Sequence, residues 1–306
     1  MIKVENISKS FGFVKAIDDL SFEVKTGEIL GFLGPNGAGK TTTMRILTGF
    51  LAPDQGKVTI ENVSVTDNPT DAQKFIGYLP ENNPLYGEMQ VKEILSLAAD
   101  LQDIPKSERK DAFDFVVKSA GIESVFYRPV GELSKGYKQR VGIATALIHK
   151  PKIIIMDEPT EGLDPNQRTE IRKLIKKLAE KHTVIMSTHV MQEASAVCNR
   201  MLIINKGKIV ADGTADEISQ ASNNESVLEV EIEGRNVEKT LRDIENILEV
   251  KIEADQSGKF SATLVHKPEI SLQPKISSLA KSNDWTIWKI NQKEHDLEDI
   301  FQQLTK

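Results

Sequence analysis

Cysteine is almost missing from this sequence. Cys198 is the only one in 306 residues, so no internal disulfide can form, a cystine-stapled fold is excluded, and a reducing compartment is expected. In Ala194-Ser195-Ala196-Val197-Cys198 it reads as a small buried apolar residue rather than a nucleophile. Long apolar runs are missing too. The longest candidate, Val141 to Ile148, falls far short of the ~18 residues that a membrane helix needs. The opening Met1-Ile2-Lys3-Val4-Glu5-Asn6 has no apolar core and no small-residue cleavage site, so no signal peptide is expected. Nor is there an excess of positive charge. Thirty-nine basic against 45 acidic side chains give a net charge of −6 and a pI near 5.6, which argues against purely electrostatic binding of nucleic acid.

What is present is ordinary globular chemistry. Hydrophobic residues make up 39% and charged residues 27%, a balance that excludes a disordered or fibrous chain. The length is that of two domains at about 150 residues each. Ile2-Lys3-Val4 and Leu20 to Val24 read as strands, as does the apolar run Ile29-Leu30-Gly31-Phe32-Leu33. A helix is expected from Lys40 to near Gly49, then a strand at Val58-Thr59-Ile60. Two helices follow, one capped at Ser107 with Phe113, Val116 and Val117 at helical spacing and one from Ser134 to before Pro151. Next come strand Ile153–Met156, helix Pro165–Lys181, strand Thr183–Met186, a helix over 190–198 and a hairpin about Lys206-Gly207. Strands alternating with helices at this spacing require a parallel sheet.

Residues 220–226 are polar, small and non-periodic, and read as a linker between domains 1–219 and 227–306. Beyond them the pattern is strand (227–232), helix (237–247), strand (248–253), strand (259–265), helix (270–280) and strand (285–290), the ferredoxin-like β-α-β-β-α-β order. A short helix over 296–304 closes the chain. Trp285 and Trp288 fall on opposite faces of one strand and are expected to pack in a core.

Three motifs carry chemistry. Gly34-Pro35-Asn36-Gly37-Ala38-Gly39-Lys40-Thr41 fits G-x-x-x-x-G-K-[ST] between a buried strand and a helix. Its glycines let backbone N–H groups wrap phosphate oxygens, and the helix points its positive end at the same anion. Lys40 supplies a point charge to the β- and γ-phosphates and Thr41 a hydroxyl to Mg²⁺. Ile153-Ile154-Ile155-Met156 ends in Asp157-Glu158: the aspartate is placed to hold Mg²⁺, the glutamate to polarise a water toward the γ-phosphate. His189, just past the next strand, stands at the sheet edge where ligands bind, beside the γ-phosphate. The other four histidines show no ligand spacing with one another or with Cys198, so no zinc site is expected. The chemistry is that of a Mg-nucleotide hydrolase.

One more segment narrows the reading. Leu133-Ser134-Lys135-Gly136-Tyr137 precedes the Asp157 strand by one helix, and Ser134 is placed to cap that helix, a second anion-binding terminus. Here the chain resembles the ATP-binding subunit of an ABC transporter, whose signature is Leu-Ser-Gly-Gly-Gln. The resemblance covers residues 1 to about 218 and includes the P-loop, Asp157-Glu158-Pro159-Thr160, the D-loop Gly162-Leu163-Asp164-Pro165 and the switch residue His189. It implies an α/β P-loop fold with a mostly parallel sheet, an antiparallel N-terminal subdomain and a helical subdomain, to which the small α+β ferredoxin-like domain is appended. It also implies a head-to-tail dimer, with itself or with a similar subunit. Two ATP molecules would each lie between one P-loop (with Thr42) and the partner's Ser134 and Gly136, with Asp164 of the D-loop nearby. Phe11 would stack on adenine and Glu81 would stand in the Q-loop. The rest of the implied system is a separate membrane-spanning permease, a place on the cytoplasmic face of a bacterial membrane, and no nucleic acid.

Three departures stand out. Glu81 replaces the family's glutamine. Lys135 and Tyr137 replace the signature's second glycine and its glutamine, with Lys135 read as solvated. Glu161 replaces the usual D-loop serine. With the appended domain, this combination resembles the export-type subunits of bacteria, including those for multidrug export and gliding motility. The competing reading is a soluble ABC-type ATPase on ribosomes or DNA, but one cassette, no heptad run and an acidic balance set it behind. A non-enzymatic nucleotide-binding module is disfavoured by the intact Lys40, Asp157, Glu158 and His189.

Overall fold

The computed structural model describes residues 1–222, 226–244, 247–254, 259–267, 271–293 and 297–305. Its two compact units are built on Met1–Ala215 and Asp216–Gln303. The first opens with a hairpin of β1 (Ile2–Phe11) and β2 (Val14–Val24), then β3 (Ile29–Leu33), α1 (Lys40–Leu47), β4 (Gln55–Ile60), β5 (Val63–Ser64), α2 (Pro69–Gln73) and β6 (Ile76–Leu79). Three helices follow, α3 (Val91–Leu101), α4 (Arg109–Ala120) and α5 (Lys135–Leu147). Then come β7 (Ile153–Asp157), α6 (Pro165–Ala179), β8 (Thr183–Thr188), α7 (Met191–Val197), β9 (Arg200–Asn205) and β10 (Lys208–Gly213); α8 (Ala215–Ser222) starts at the division and belongs, from Asp216 on, to the second unit.

The main sheet runs in the order β10-β9-β3-β8-β7-β6. Every neighbouring pair is parallel except β10–β9. A smaller antiparallel sheet, β2-β1-β4-β5, packs beside it. Side chains alternate along a strand, and β7 shows what that does. Ile154 and Met156 enter one core with Val141, Leu147 and Ile175 from α5 and α6, while Ile153 and Ile155 enter another with Met44 and Leu47 of α1. Both faces of the strand are therefore dry, and it is buried along its whole length, ending in Asp157. Every βα loop at that edge of β3, β7 and β8 faces one place.

Residues Glu81 to Gly87 leave the C-terminal end of β6 and run against α5. Asn83 donates from Nδ2 to the Lys138 carbonyl at 2.7 Å. Gly142, one turn farther along α5, leaves the space that Asn83 fills, because a Cβ there would collide with its amide. This close approach fixes the Glu81 segment to the signature helix.

The second unit is the four-stranded antiparallel sheet β12-β13-β11-β14, made of β11 (Ser226–Glu233), β12 (Ile247–Ala254), β13 (Lys259–His266) and β14 (Thr286–Lys293). Helices α9 (Val237–Arg242) and α10 (Leu272–Asn283) contribute to its core, and α11 (Leu297–Thr305) follows. Leu228, Val230 and Ile232 point from β11 into that core with Leu241, Leu264 and Ile276. The expected β-α-β-β-α-β order is the one observed.

Several boundaries differ from the sequence reading. Helix α8 occupies 220–222, the start of the expected linker, and the compact units divide after Ala215; residues 223–225 lie outside the described residues. Helix α9 ends at Arg242, five residues early, because Leu241 and Ile244 bury into the core and the chain re-enters the sheet at Ile247. Residues 245–246, 270 and 296, at the edges of expected helices, are also outside the described residues. Ser107 is not a cap: α4 starts at Arg109 from Glu108, with no side-chain cap bond. Trp285 is buried and donates from Nε1 to the Arg235 carbonyl at 3.0 Å. Trp288 is not in the core. It is 56% exposed, with the Lys259 ammonium 3.9 Å from its ring centroid, a cation–π contact that suits a surface tryptophan. Among the described residues no helix is long and apolar enough to cross a membrane.

Candidate active site

The loop between β3 and α1 wraps the start of that helix. Gly39 holds the N-cap position at φ +109°, where a Cβ would lie 2.5 Å from the Ala16 carbonyl, so no other residue fits. No side chain caps α1. Its first amides are therefore left for an anion, in the direction the helix dipole favours. Lys40, nearly buried, donates from Nζ to the carbonyls of Gly34 (2.8 Å) and Pro35 (3.3 Å), and its ammonium stands 3.4 Å from Glu158 Oε1. The lysine is thus held ready by its own loop.

Asp157 is fully buried at the end of β7. Ser187 of β8 donates its hydroxyl to Oδ1 and accepts the Glu158 N–H at 2.9 Å. Oδ2 has no partner. A buried carboxylate oxygen without a donor is costly unless a cation meets it, so Asp157 and the Thr41 hydroxyl fit a hard divalent ion. Glu158 adopts φ +48° and is 8% exposed. Its carboxylate lies 3.1 and 3.2 Å from His189 Nδ1. Beneath these groups, burial pushes the Tyr78 phenol up to about 12, and the Asp157 charge adds to the effect.

A cleft of about 480 Å³ opens over this arrangement. Of the residues expected from sequence, Phe11, Asn36, Gly37, Gly39, Lys40, Thr41 and Thr42 line it, and so do Glu81, Glu158 and His189. Phe11 is 52% exposed at the tip of β1, which excludes an ordinary core role and leaves a ring face for a base. Gly34, Pro35 and Ala38 shape the loop without lining the cleft, and Asp157 lies behind it. Ser134, Gly136 and Asp164 are not among the lining residues. Ser134 caps α5, accepting the Tyr137 N–H at 3.3 Å, and Asp164 caps α6, accepting the Gln167 N–H at 2.9 Å. Both helix starts hold their geometry without a ligand.

Sequence reasoning missed two things. Glu161 lines the cleft and reaches to 3.8 Å from His189 Nε2. Ser187 fixes Asp157, although only its neighbour His189 drew attention. Lys135 is exposed, as its solvated reading expects, and its ammonium lies beside Gly162, at φ +63°, where a Cβ would strike it. Cys198 is half-buried, and burial raises its thiol to about 12, so it is no nucleophile.

Comparison with known proteins settles the family. The profile described as "ABC transporter" matches residues 17–161. The uncharacterised ABC transporter ATP-binding protein YxlF of Bacillus subtilis is 31% identical over 98% of this chain and 98% of its own length. The chain belongs to the ATP-binding proteins of ABC transporters. The bacitracin transport ATP-binding protein BcrA of Bacillus licheniformis is 34% identical, over 99% of this chain and 97% of BcrA. Among solved structures, the dimeric post-hydrolysis state of an ATP-binding cassette bound to ADP and Pi matches at a TM-score of 0.63 and 28% identity. That likeness covers 70% of this chain and 98% of the cassette. As a member of this family the chain is an ATP-hydrolysing, nucleotide-binding transporter subunit. A soluble cassette acting on ribosomes or DNA is not favoured.

Proposed function

We propose that two copies, or this chain and a similar subunit, close head to tail over two ATP molecules and drive export through a separate membrane permease. The observation that carries this reading is the split between the cleft and the signature helix. Lys40, Glu158 and His189 share one cleft, while Ser134 and Gly136 start a helix that does not line it. A partner's nucleotide is the natural occupant of that second terminus.

In this reading the P-loop amides and Lys40 bind the β- and γ-phosphates, with Thr42 on the same helix start. Thr41 and Asp157 hold Mg²⁺, which supplies charge neutralisation on the phosphate oxygens when bound. Glu158 takes the proton of the attacking water, and His189 contacts the γ-phosphate. Phe11 stacks on adenine. Ser134, Gly136 and Asp164 belong to the face turned toward the partner subunit. The likeness to BcrA, whose name gives it a role in bacitracin transport, supports an exporter at the cytoplasmic face of a membrane.

Two measurements bear on the fine points. Glu81 lines the cleft at the Q-loop place, where a carboxylate can orient water or meet a cation but cannot donate as an amide can. Glu81→Gln is expected to keep ATP turnover within about tenfold, ~1.4 kcal/mol of barrier; abolished turnover would show that the site does not tolerate the exchange. The permease is expected to dock at Asn82-Asn83-Pro84-Leu85-Tyr86-Gly87, where Tyr86 is 65% exposed. Tyr86→Asp should therefore lose co-purification with the permease from detergent-solubilised membranes while ATPase activity in solution persists. Unchanged co-purification would move the docking site elsewhere.

A further inference from the structure

Among the described residues three acids are buried: Asp157, Glu158 and Glu193. The first two belong to the site, whereas Glu193 does not line the cleft. It stands one turn past His189, in the first turn of α7, and is 6% exposed. An acid there suits the helix dipole, but the dipole does not require burial, and burying a carboxylate is costly even beside a partner. Its two oxygens have separate partners. Oε2 accepts the hydroxyl of Thr160, itself buried, and Oε1 lies 3.7 Å from Arg168 Nη1. Thr160 belongs to the turn Glu158-Pro159-Thr160-Glu161, closed by the Glu161 N–H donating to the Glu158 carbonyl at 3.1 Å. Arg168 is steadied on α6 by its Nε donating to the Leu163 carbonyl at 2.8 Å.

The turn and the segment from β8 into α7 therefore meet at three rungs. Ser187 accepts the Glu158 N–H at 2.9 Å, His189 Nδ1 faces the Glu158 carboxylate at 3.1 Å, and Glu193 accepts from Thr160. The first two rungs hold Glu158 itself, and the third holds the chain two residues on. Glu158 sits at φ +48°, a backbone state that persists only where the surroundings impose it, and the third rung imposes it from the far side of the turn. We propose that Glu193 is a positioning residue for ATP hydrolysis. By gripping Thr160 and Arg168 it holds the turn that carries Glu158 and the segment that carries His189 as one piece, so that carboxylate and imidazole keep a common aim at the γ-phosphate. This rests on the reading of Glu158 as the water-activating base and of His189 as the γ-phosphate contact. Glu193 touches no reacting atom, and no bond to it forms or breaks.

Thr160→Val keeps the shape of the side chain and deletes the donor of the third rung. It and Glu193→Ala are each expected to lower kcat about thirtyfold, within the roughly hundredfold that a 1 Å misplacement can cost. KM for ATP should stay unchanged, because the P-loop and Lys40 are untouched. Glu193→Gln, which still offers Thr160 an acceptor, should recover most of the rate. The double variant Thr160→Val/Glu193→Ala should be no slower than either single one, because both remove the same rung. An unchanged kcat in folded Thr160→Val, losses that multiply in the double variant, or a Glu193→Gln as slow as Glu193→Ala overturns the assignment. Should Glu193→Ala not fold, Thr160→Val and Glu193→Gln still decide it. A fully active Glu158→Gln would instead overturn the reading of the site beneath it, and is told apart because it involves no change at Thr160 or Glu193.

Discussion

Glu158→Gln is expected to bind ATP, lose turnover by about a thousandfold, and elute as a dimer when magnesium and ATP are present. A general base contributes 10²- to 10⁴-fold, about 3–5 kcal/mol of barrier. Glutamine has nearly the same shape but cannot take a proton. The substitution also removes a negative charge beside the γ-phosphate and frees Lys40, whose ammonium lies 3.4 Å from Glu158 Oε1. Nucleotide affinity should therefore rise while hydrolysis stops, and a closed dimer should accumulate. Phosphate release and size-exclusion chromatography measure the two effects. A fully active variant would remove Glu158 as the base, and a persistent monomer would remove the shared-nucleotide dimer.

The second large effect is expected at Lys40. Lys40→Met keeps the aliphatic stem and deletes the charge, so ATP affinity should fall about a hundredfold, ~3 kcal/mol. Stability should fall as well. Lys40 and Glu158 have side chains only 7% and 9% exposed, and removing one partner of a buried pair strands the other, typically at about 3 kcal/mol or more. The double variant Lys40→Met/Glu158→Gln should recover most of that stability while still failing to bind ATP. Calorimetry and thermal unfolding of the three variants form the cycle that isolates the pair. Additive stability losses would mean that the two side chains do not interact.

The nucleotide half of the site was legible because its physics is local. A buried strand, a glycine-rich turn and a helix start lie consecutively, and no distant residue is needed to interpret them. The placement of Asp157 and His189 at one edge of the sheet was legible because they sit at the ends of apolar runs in a sheet that the strand–helix alternation announced. Other features depend on tertiary placement. The hairpin β1–β2 runs far beyond the two short strands expected, because register shifts at Val4/Ile7, Ile7/Lys9 and Lys9/Ser10 interrupt its alternation. Helix α3 went unread: its start is marked by Glu93 accepting the Gln90 N–H at 2.8 Å, without a serine, threonine or aspartate cap. Trp288 sits in a register shift on β14, skipped between Ile287 and Lys289, the partners of Ile232 and Glu231, so strict two-residue alternation could not place it. Glu161 and Lys135 show the same limit. Each differs from the family pattern, but what each touches is fixed only when the D-loop folds back onto His189 and the signature helix.

The hydrogen bond from Asn83 to the Lys138 carbonyl, with Gly142 making room for it, has a mechanical consequence. The stretch that begins at Glu81 in the cleft cannot slide independently of the helix that starts at Ser134. Under the proposed docking, a thrust delivered to Tyr86 would reach two arms of one lever, the cleft's own rim and the terminus proposed to meet the neighbouring subunit's nucleotide. Cutting that tie with Asn83→Ala would leave both arms intact but let them swing separately.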